Sequence, residues 1–528
     1  MHYKYTILII CLCCHFSCKN SSDDKLIYAL KNAENNRHEL QKVLDHYEGD
    51  ELKLKAAQFL IENMPYLNYY ESKKYDQYKK SLRPIMSETR LPDYLAYDVL
   101  HKRLGALSQS DFILKNDVQT MSADYLIKNI DLAFKVWEEQ PWGKYISFET
   151  FCQNILPYRI GNEPLENWRE VYYNYFQPIL DSLQTDDSPI TACQLIYDAI
   201  TKQDWAFAQD ISGPHIGGKS LFEQRLGNCR EYSDYMLYAM RAVGIPGGID
   251  LILQNPDDSY REHYWNYVTD TTGKDIEFEL YRLRPGQNVQ DSARLRAKIY
   301  RRRPFVQEQS LPALYPNEKL PKSLNNLFLE DVSDKYFPNS QVSIPVDNKH
   351  ISNKLLFLCV FNNSTWVPIS ASPIKKGKAD FKGLEANIVY CPCLYENGNI
   401  QPITNPFLFK KNGEAQFFNP DTINKKEALL TRKFYIRTYF TGSDKPVTYG
   451  GQFQGANDKL FKNPTTLHTI TDEPTLRYKE IEVSFSQAFK YVRYQSPDSS
   501  LCSMAEIEFY SKDLTKLKGK VIGTEGSF

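Results

Sequence analysis

The sequence predicts an α+β protein with a helical N-terminal region, a core of one helix and antiparallel strands, and C-terminal β-sandwich domains. Apolar residues recur near the helical period of 3.6 from residue 26 to about 183. From 193 to about 278 the pattern changes to a helix followed by strands, and from 355 onward short β-rich runs alternate with turn residues. A chain of 528 residues is also too long for one hydrophobic core, so several domains are expected.

These changes in pattern place the predicted domain boundaries. Six prolines between 301 and 346 predict a linker with little regular structure there. The predicted order is a signal peptide over 1–17, a helical domain over 18–190, a core over 191–300, the linker over 301–346, a β domain over 347–425, a β-sandwich over 426–512 and a tail over 513–528.

Composition and charge exclude some classes of function. The formal net charge is −1, with 42% hydrophobic and 24% charged residues, which is typical of a folded globular protein without a basic field for nucleic acid. The short run Arg301, Arg302 and Arg303 is predicted to be a solvated surface. Cys391 and Cys393 lack Cys or His partners at zinc spacing, and strand alternation predicts two buried thiols, so no metal or cofactor is expected.

The N-terminus predicts export. Lys4 precedes an apolar run over 7–14 that is too short to span a bilayer, and Ser17 precedes Cys18. This junction resembles the lipobox of bacterial lipoproteins, and residues 18–24 resemble the tether of surface lipoproteins in Bacteroides-type bacteria. The resemblance implies a lipid on Cys18, an outer-membrane location with exposure at the cell surface, and no other membrane contact. A plain cleaved signal with an incidental cysteine is the alternative.

A substitution at Cys18 tests the anchor. Cys18→Ala is expected to release the protein from membranes, because the acylated residue would be its only membrane attachment. Fractionation of cells that express the variant measures this, and a variant that stays in the membrane fraction contradicts the lipid anchor.

The segment that best indicates chemistry is a predicted helix that begins at Cys229. Asn228 is a suitable N-cap, while Gly244 and Pro246 end the helix. The positive end of the helix dipole favours a thiolate at the first turn, and the thiolate is the nucleophilic form of cysteine. The apolar face of this helix consists of Tyr232, Met236, Ala239, Met240 and Val243.

A histidine follows on a predicted strand. In an antiparallel hairpin centred on Thr271, His263 faces Glu279. A carboxylate at that position would accept a hydrogen bond from one imidazole nitrogen and stabilise the imidazolium. A register slip of two residues would present Glu277 instead, and a slip of one would present an apolar residue that cannot orient the ring.

Together these residues resemble the transglutaminase-like superfamily. Residues 227–229 open a helix that ends over 242–246, and 263–265 follow as His-Tyr-Trp. The resemblance covers about 220–280 and implies a papain-like fold, with Cys229 as nucleophile and His263 as base. The acid of that family is usually aspartate, so Glu279 departs from the pattern.

Papain-like enzymes also use a glutamine side chain to stabilise the oxyanion. Gln224, five residues before Cys229, is the candidate for that role, and a simple surface glutamine is the alternative. The backbone N–H of Cys229 would be the second donor.

The flanking regions extend the resemblance to transglutaminase-domain lipoproteins of gut Bacteroidetes. Residues 151–169 either line a cleft or form an ordered connector with internal salt bridges. Residues 450–458, 489–494 and 504–510 resemble discoidin-type (galactose-binding-like) sandwiches, and 519–528 resemble the opening strand of a further module.

Two functions follow from these resemblances. The first is thiol-dependent hydrolysis or acyl transfer at an amide of a protein or peptide, through a thioester. The second is a catalytically inactive scaffold whose sandwiches bind a surface glycan or protein.

Overall fold

The computed structural model describes most of the chain. The described residues are 21–89, 93–183, 187–208, 213–256, 262–287, 294–347, 354–362, 365–427, 448–471, 480–483, 487–497 and 507–520. No helix within these ranges is long and apolar enough to cross a membrane. The predicted signal peptide and Cys18 lie outside the described residues.

Two compact units make up the structure, Met1–Pro420 and Asp421–Phe528. Helices predominate in the first half of the first unit and antiparallel strands in its second half, so the predicted α+β class is confirmed. The predicted helical domain, core, linker and most of the β domain all fall within this first unit.

The N-terminal part is built from helices, four of which are capped at their first turn by a side chain. Asp50, Ser122, Ser147 and Ser188 each accept a hydrogen bond from a backbone N–H three residues on, which satisfies a donor that the helix leaves open. The helices are α1 (Ser21–Asn32), α2 (Arg37–His46), α3 (Glu51–Asn63), α4 (Lys73–Thr89), α5 (Asp93–Leu104), α6 (Asp117–Thr120), α7 (Ala123–Glu139), α8 (Phe148–Asn154), α9 (Trp168–Leu180) and α10 (Pro189–Thr201), with a hairpin of β1 (Asn68–Glu71) and β2 (Ile113–Asn116).

The segment 151–169 is an ordered, buried connector. Arg159 is 2% exposed, and its Nε donates to Asp117 Oδ2 over 2.7 Å. Glu163 accepts from the backbone N–H of Ile160 over 2.6 Å and from Tyr238 OH over 2.7 Å. The charged side chains Arg159 and Glu163 of this segment therefore bind partners within the protein, which agrees with the interpretation of the segment as an ordered connector.

The central part consists of a short parallel pair, two helices and a five-stranded antiparallel sheet. The sheet has the strand order β7-β6-β5-β8-β9, and α12 packs against β5 and β6. The elements are β3 (Ala206–Phe207), α11 (Gly218–Gln224), β4 (Leu226–Gly227), α12 (Cys229–Ala242), β5 (Gly247–Ile252), β6 (His263–Thr269), β7 (Asp275–Phe278), β8 (Tyr300–Arg302) and β9 (Leu329–Asp331).

The region 301–346, predicted as a linker, carries part of this sheet. Strand β8 pairs with β5, and β9 pairs with β8. The prediction of a solvated arginine run is wrong, because each arginine has a partner in the fold. Arg301 is 2% exposed and donates to Asp250 over 2.7 Å, Arg302 lies 2.5 Å from the ring of His215, and Arg303 donates to Glu330 over 2.6 Å.

A second antiparallel sheet follows in the first unit, with the order β12-β11-β14-β16-β17 and β15 on the side of β14. Cys391 and Cys393 on β14 are both fully buried free thiols, which confirms the prediction of two buried thiols on a strand. Strands β10 (Gln341–Pro345) and β13 (Lys378–Lys382) form a separate antiparallel pair. The other elements of this region are α13 (Leu311–Leu314), α14 (Ser333–Tyr336), β11 (Leu355–Phe361), β12 (Trp366–Pro373), β14 (Ile388–Glu396), β15 (Asn399–Pro402), β16 (Phe407–Phe409) and β17 (Ala415–Phe417).

The described part of the second unit contains one three-stranded antiparallel sheet. Its order is β19-β18-β20, formed by β18 (Gln452–Ala456), β19 (Thr465–Thr469) and β20 (Tyr491–Gln495). Residues 428–447, 472–479, 484–486 and 498–506 lie outside the described residues. The discoidin-type resemblance therefore stays a prediction.

Candidate active site

The start of helix α12 is organised by a capping box, as the sequence predicts for Asn228. The Asn228 side chain accepts from the backbone N–H of Arg230 over 3.0 Å, and Glu231 accepts from the backbone N–H of Asn228 over 3.1 Å. Glu231 is fully buried and is neutralised by Arg230 at 2.6 Å. This arrangement holds Cys229 at the first helical position.

Gly227 is required by the same arrangement. Its φ is +147°, and a Cβ atom there would lie 2.3 Å from Cβ of Glu231. Any larger residue would push out the carboxylate that closes the capping box. The Gly-Asn-Cys motif thus has a local steric reason in this fold.

Two hydrogen bonds bring the start of α12 to strand β6. The backbone N–H of Tyr264 bonds to the Cys229 sulfur. Nδ2 of Asn266, two residues further along β6, donates to the Ser233 carbonyl over 3.0 Å. The Cys229 thiol is therefore held at Tyr264, the residue that follows His263 in β6.

His263 and Glu279 are in contact. Nε2 of His263 lies 3.0 Å from Oε1 of Glu279, with the two side chains 13% and 21% exposed. The pair does not meet the geometric criteria of a hydrogen bond, so it is a close polar contact. Since Nε2 faces the carboxylate, Nδ1 is the nitrogen left to exchange a proton with a nucleophile.

The predicted strand register is wrong by two residues, although the predicted pair meets. Asn266 is opposite Phe278, which centres the hairpin on Thr272. In that register the residue opposite His263 would be Tyr281. The regular ladder ends at Phe278, and the chain turns at once, with the backbone N–H of Glu279 donating to the Leu283 carbonyl over 2.9 Å. This turn, and not strand pairing, carries the carboxylate to the imidazole.

The alternative acid, Glu277, has another partner. Its Oε2 accepts from Nη1 of Arg296 over 2.6 Å. The Arg296 guanidinium also lies 4.9 Å from the centre of the Trp265 ring, a cation–π contact that fixes its place. Glu277 is therefore bound on the flank of the site.

Arginines surround the histidine. Nη1 of Arg294 lies 3.5 Å from the same Glu279 oxygen that faces His263. The positive charges of Arg294, Arg282 and Arg296 all act on His263 and, with burial as the largest cause, lower its pKa to about 3. The Glu279 carboxylate, 3.0 Å from His263, is shared with Arg294.

The pKa of the Cys229 thiol is raised, whereas the position at a helix start was expected to lower it. Burial raises the pKa of Cys229 to about 11, and the nearby Glu231 and Glu279 carboxylates add to this. The Tyr264 N–H and the Arg294 charge act in the opposite direction, and they lower the pKa by less than burial raises it. Desolvation of the thiolate outweighs the helix dipole, which acts only at the first turn. At neutral pH the resting site holds a neutral thiol and a neutral imidazole.

This charge state predicts the pH dependence of Cys229 alkylation. Because the pKa of the thiol is raised, the thiolate fraction and the iodoacetamide rate should rise with pH about tenfold per unit from pH 7 to 10. Mass spectrometry of the Cys229 peptide measures the rate. A plateau at or below pH 7 would instead show a stable thiolate–imidazolium pair.

Gln224, the oxyanion candidate, ends α11 and is joined to α12 through β4. Its side-chain Oε1 is buried without a hydrogen-bond partner among the described residues, so it is not a simple surface glutamine. Its backbone carbonyl accepts from Nη1 of Arg83 over 2.5 Å, which anchors the end of α11. The oxyanion role itself stays a prediction.

A cluster of aromatic rings near Cys229, formed by Tyr232, Trp205 and Tyr281, was not predicted from the sequence. The ring of Tyr232, one turn along α12, lies 4.8 Å from Trp205 and 5.4 Å from Tyr281. Burial is the largest cause that raises the pKa of Tyr232 to about 12, and Cys229 contributes. The tryptophan directly before β3 was a usable sequence signal, because aromatic residues often line pockets for acyl substrates.

A buried ion network holds the other face of α12. Nδ1 of His215 lies 2.5 Å from Oδ2 of Asp234, and Nη1 of Arg302 lies 2.5 Å from Nε2 of the same ring. Burial raises the pKa of Asp234 to about 7 and lowers the pKa of His215 well below its usual range. Since all three side chains belong to different segments, the network ties α12 to β8 and to the loop before α11.

The fold therefore places a cysteine at the start of a buried helix, bonded to a backbone N–H of the strand that carries His263, and that histidine contacts a carboxylate on the turn after β7. No protein-family model matches the chain, and no curated protein matches its sequence.

Solved structures show limited likeness. The chain is similar to a candidate cysteine protease from Cytophaga hutchinsonii, with 18% identity and a TM-score of 0.18 over 22% of this chain and 37% of that one. It is also similar to the periplasmic domain of TgpA from Pseudomonas aeruginosa, solved bound to ethylmercury, with 16% identity and a TM-score of 0.18 over 22% of this chain and 45% of that one. The chain thus spans less than half the length of either structure.

Proposed function

We propose that this chain is an exported, lipid-anchored cysteine enzyme that hydrolyses or transfers acyl groups at an amide of a protein or peptide. The observation that carries the proposal is the placement of Cys229 at the Tyr264 backbone N–H while the adjacent His263 contacts Glu279 at 3.0 Å. The resemblance of residues 220–280 to the transglutaminase-like superfamily supports the same chemistry.

The proposed mechanism begins from the neutral pair. The Cys229 sulfur attacks the amide carbonyl while Nδ1 of His263 accepts the thiol proton, so that no free thiolate accumulates. Glu279, at Nε2, stabilises the imidazolium as it forms. The backbone N–H of Cys229 and the Gln224 side chain are proposed to bind the oxyanion.

The tetrahedral intermediate then collapses to a thioester. The imidazolium returns its proton to the departing amine, which leaves as the C–N bond breaks. Water or a second amine attacks the thioester with His263 as base, and the product leaves with Cys229 as the thiol. The second step decides between hydrolysis and transfer.

One experiment tests the acyl-enzyme. The protein is incubated with p-nitrophenyl acetate, and intact-mass and peptide spectra are expected to show an acetyl group on Cys229 that decays with time. Added hydroxylamine accelerates the decay if an amine can enter the site. Acetylation confined to lysines, with Cys229 unmodified, would refute the proposal.

The role of the acid has its own prediction. Glu279→Gln is expected to reduce ester turnover by about one order of magnitude, less than the roughly 10²–10⁴-fold that loss of a general base costs. Its matched control is Glu277→Gln, because Glu277 is an equally charged neighbour bound to Arg296 at 2.6 Å. Equal losses in the two variants would show that Glu279 has no special position.

A catalytically inactive scaffold is the second candidate function. The raised pKa of the Cys229 thiol favours it, because a desolvated neutral thiol is a poor nucleophile. In that case the β-rich parts of the chain would bind a surface glycan or protein, and the acetyl thioester would not form.

A further inference from the structure

We propose that the acyl donor of this site carries a negative charge close to the reacting carbonyl, and that Arg294, assisted by Arg282, binds it. This inference rests on the proposed function, since it names the substrate class of the same site. A carboxylate, as in an acidic peptide, is the simplest group of this kind.

The first support is the position of Arg294. Its guanidinium lies 3.5 Å from the Glu279 oxygen that lies 3.0 Å from Nε2 of His263. The same positive charge acts on the Cys229 thiol. Arg294 is thus within electrostatic range of both reacting groups, and at 21% side-chain exposure it is only partly shielded from solvent.

The second support is the number of positive charges that reach the base. After burial, the charges of Arg294, Arg282 and Arg296 are the causes that lower the pKa of His263. Arg294 shares the Glu279 carboxylate with His263, and Arg282 is an exposed side chain on the turn after Glu279.

The third support is what this field does to the base. The three arginines and burial hold the pKa of His263 near 3, which is too low for an effective proton acceptor at neutral pH. A substrate carboxylate against Arg294 would offset part of the positive field and leave Glu279 to His263. Both changes raise the pKa of the imidazole, so an anionic substrate would bind to the site and activate it together.

A pair of alkylating agents tests this without turnover. Iodoacetate and iodoacetamide differ in charge and hardly in size, so the ratio of their rates at Cys229, divided by the ratio for free cysteine, reports the field at the sulfur. The wild type is expected to favour iodoacetate by about fivefold in low salt, as one partly screened charge at this range predicts. The preference should shrink in 1 M salt.

Substitutions identify the residues that cause the preference for iodoacetate. Arg294→Gln and the exposed Arg282→Gln should each lower the ratio, and Arg294→Lys should keep most of it. Arg284→Gln is the matched control, because Arg284 lies on the same segment but pairs with Asp198 at 2.7 Å. Melting temperatures identify any variant that is misfolded. The salt dependence is measured on the wild type alone, so it does not depend on whether the variants fold.

The outcomes separate this inference from the proposed function. A wild-type ratio equal to that of free cysteine, or one unchanged in both Arg294→Gln and Arg282→Gln, overturns the inference even if the acetyl thioester forms. A strong iodoacetate preference without any thioester supports the cationic site and refutes the enzyme. If neither reagent modifies Cys229 in the folded protein at pH 9, the site does not admit small anions and the inference fails.

Discussion

Replacing Cys229 with alanine is expected to abolish ester turnover while the protein stays folded. Loss of a covalent nucleophile costs about 10³-fold or more, because its general base has nothing left to activate. The half-buried thiol contributes little packing, so the free energy of unfolding should change by less than about 1 kcal/mol. Turnover of p-nitrophenyl acetate and thermal melting measure the two effects.

Cys193→Ala is the matched control for that substitution. Cys193 is a fully buried thiol in α10, and burial raises its pKa well above the usual range. Its loss should lower stability by about 1–2 kcal/mol and leave turnover unchanged. The reverse pattern, with Cys229→Ala less stable and equally active, would make Cys229 a core residue and favour the scaffold.

The largest expected effect on stability comes from Arg301→Met. The Arg301 guanidinium donates to both oxygens of Asp250 over 2.7 and 3.0 Å, and its centre lies 3.5 Å from the centre of the Tyr267 ring. Asp250 is fully buried, so its charge would lose its cationic partner and keep only the hydroxyl of Tyr336 at 2.7 Å. A loss of about 3–5 kcal/mol is expected in urea unfolding.

Two comparisons give that prediction its mechanism. Arg303→Gln removes an arginine from the same run, but its partner Glu330 is 34% exposed, so less than about 1 kcal/mol is expected. The double variant Arg301→Met with Asp250→Leu should recover much of the loss, because the fully buried charge is removed and Asp275, the other partner of Arg301, keeps Lys335 at 2.9 Å. If the double variant is as unstable as the single one, packing around Tyr267, and not the orphaned carboxylate, is the cause.

Local features of the site could be predicted because neighbouring residues decide them. Asn228, Glu231 and Gly244 set the ends of α12 through contacts within one turn, so the helix that presents Cys229 is visible in the sequence. His263 on a strand follows from alternation over a few residues. The meeting of His263 and Glu279 was also predicted, but from a register that was wrong by two positions.

The charges around the site could not be predicted in this way. Arg294 lies 15 residues after Glu279 in the sequence, and nothing local indicates that it shares the carboxylate. The run at 301–303 looked like a surface patch because its partners, Asp250, His215 and Glu330, are distant in sequence. Burial of the Cys229 thiol likewise depends on β5 and β6, which follow α12 in the sequence and pack against it.

The sequence by itself determined the α+β class, the capped helix that begins at Cys229, the strand that carries His263 and the buried thiols of β14, since each depends on short-range periodicity or capping. Only the tertiary structure decided the strand register, the inclusion of 301–346 in the sheet and the neutral state of the Cys229 and His263 pair. The physical reason is that desolvation and Coulomb interactions are summed over all elements packed around a group, whatever their distance along the chain.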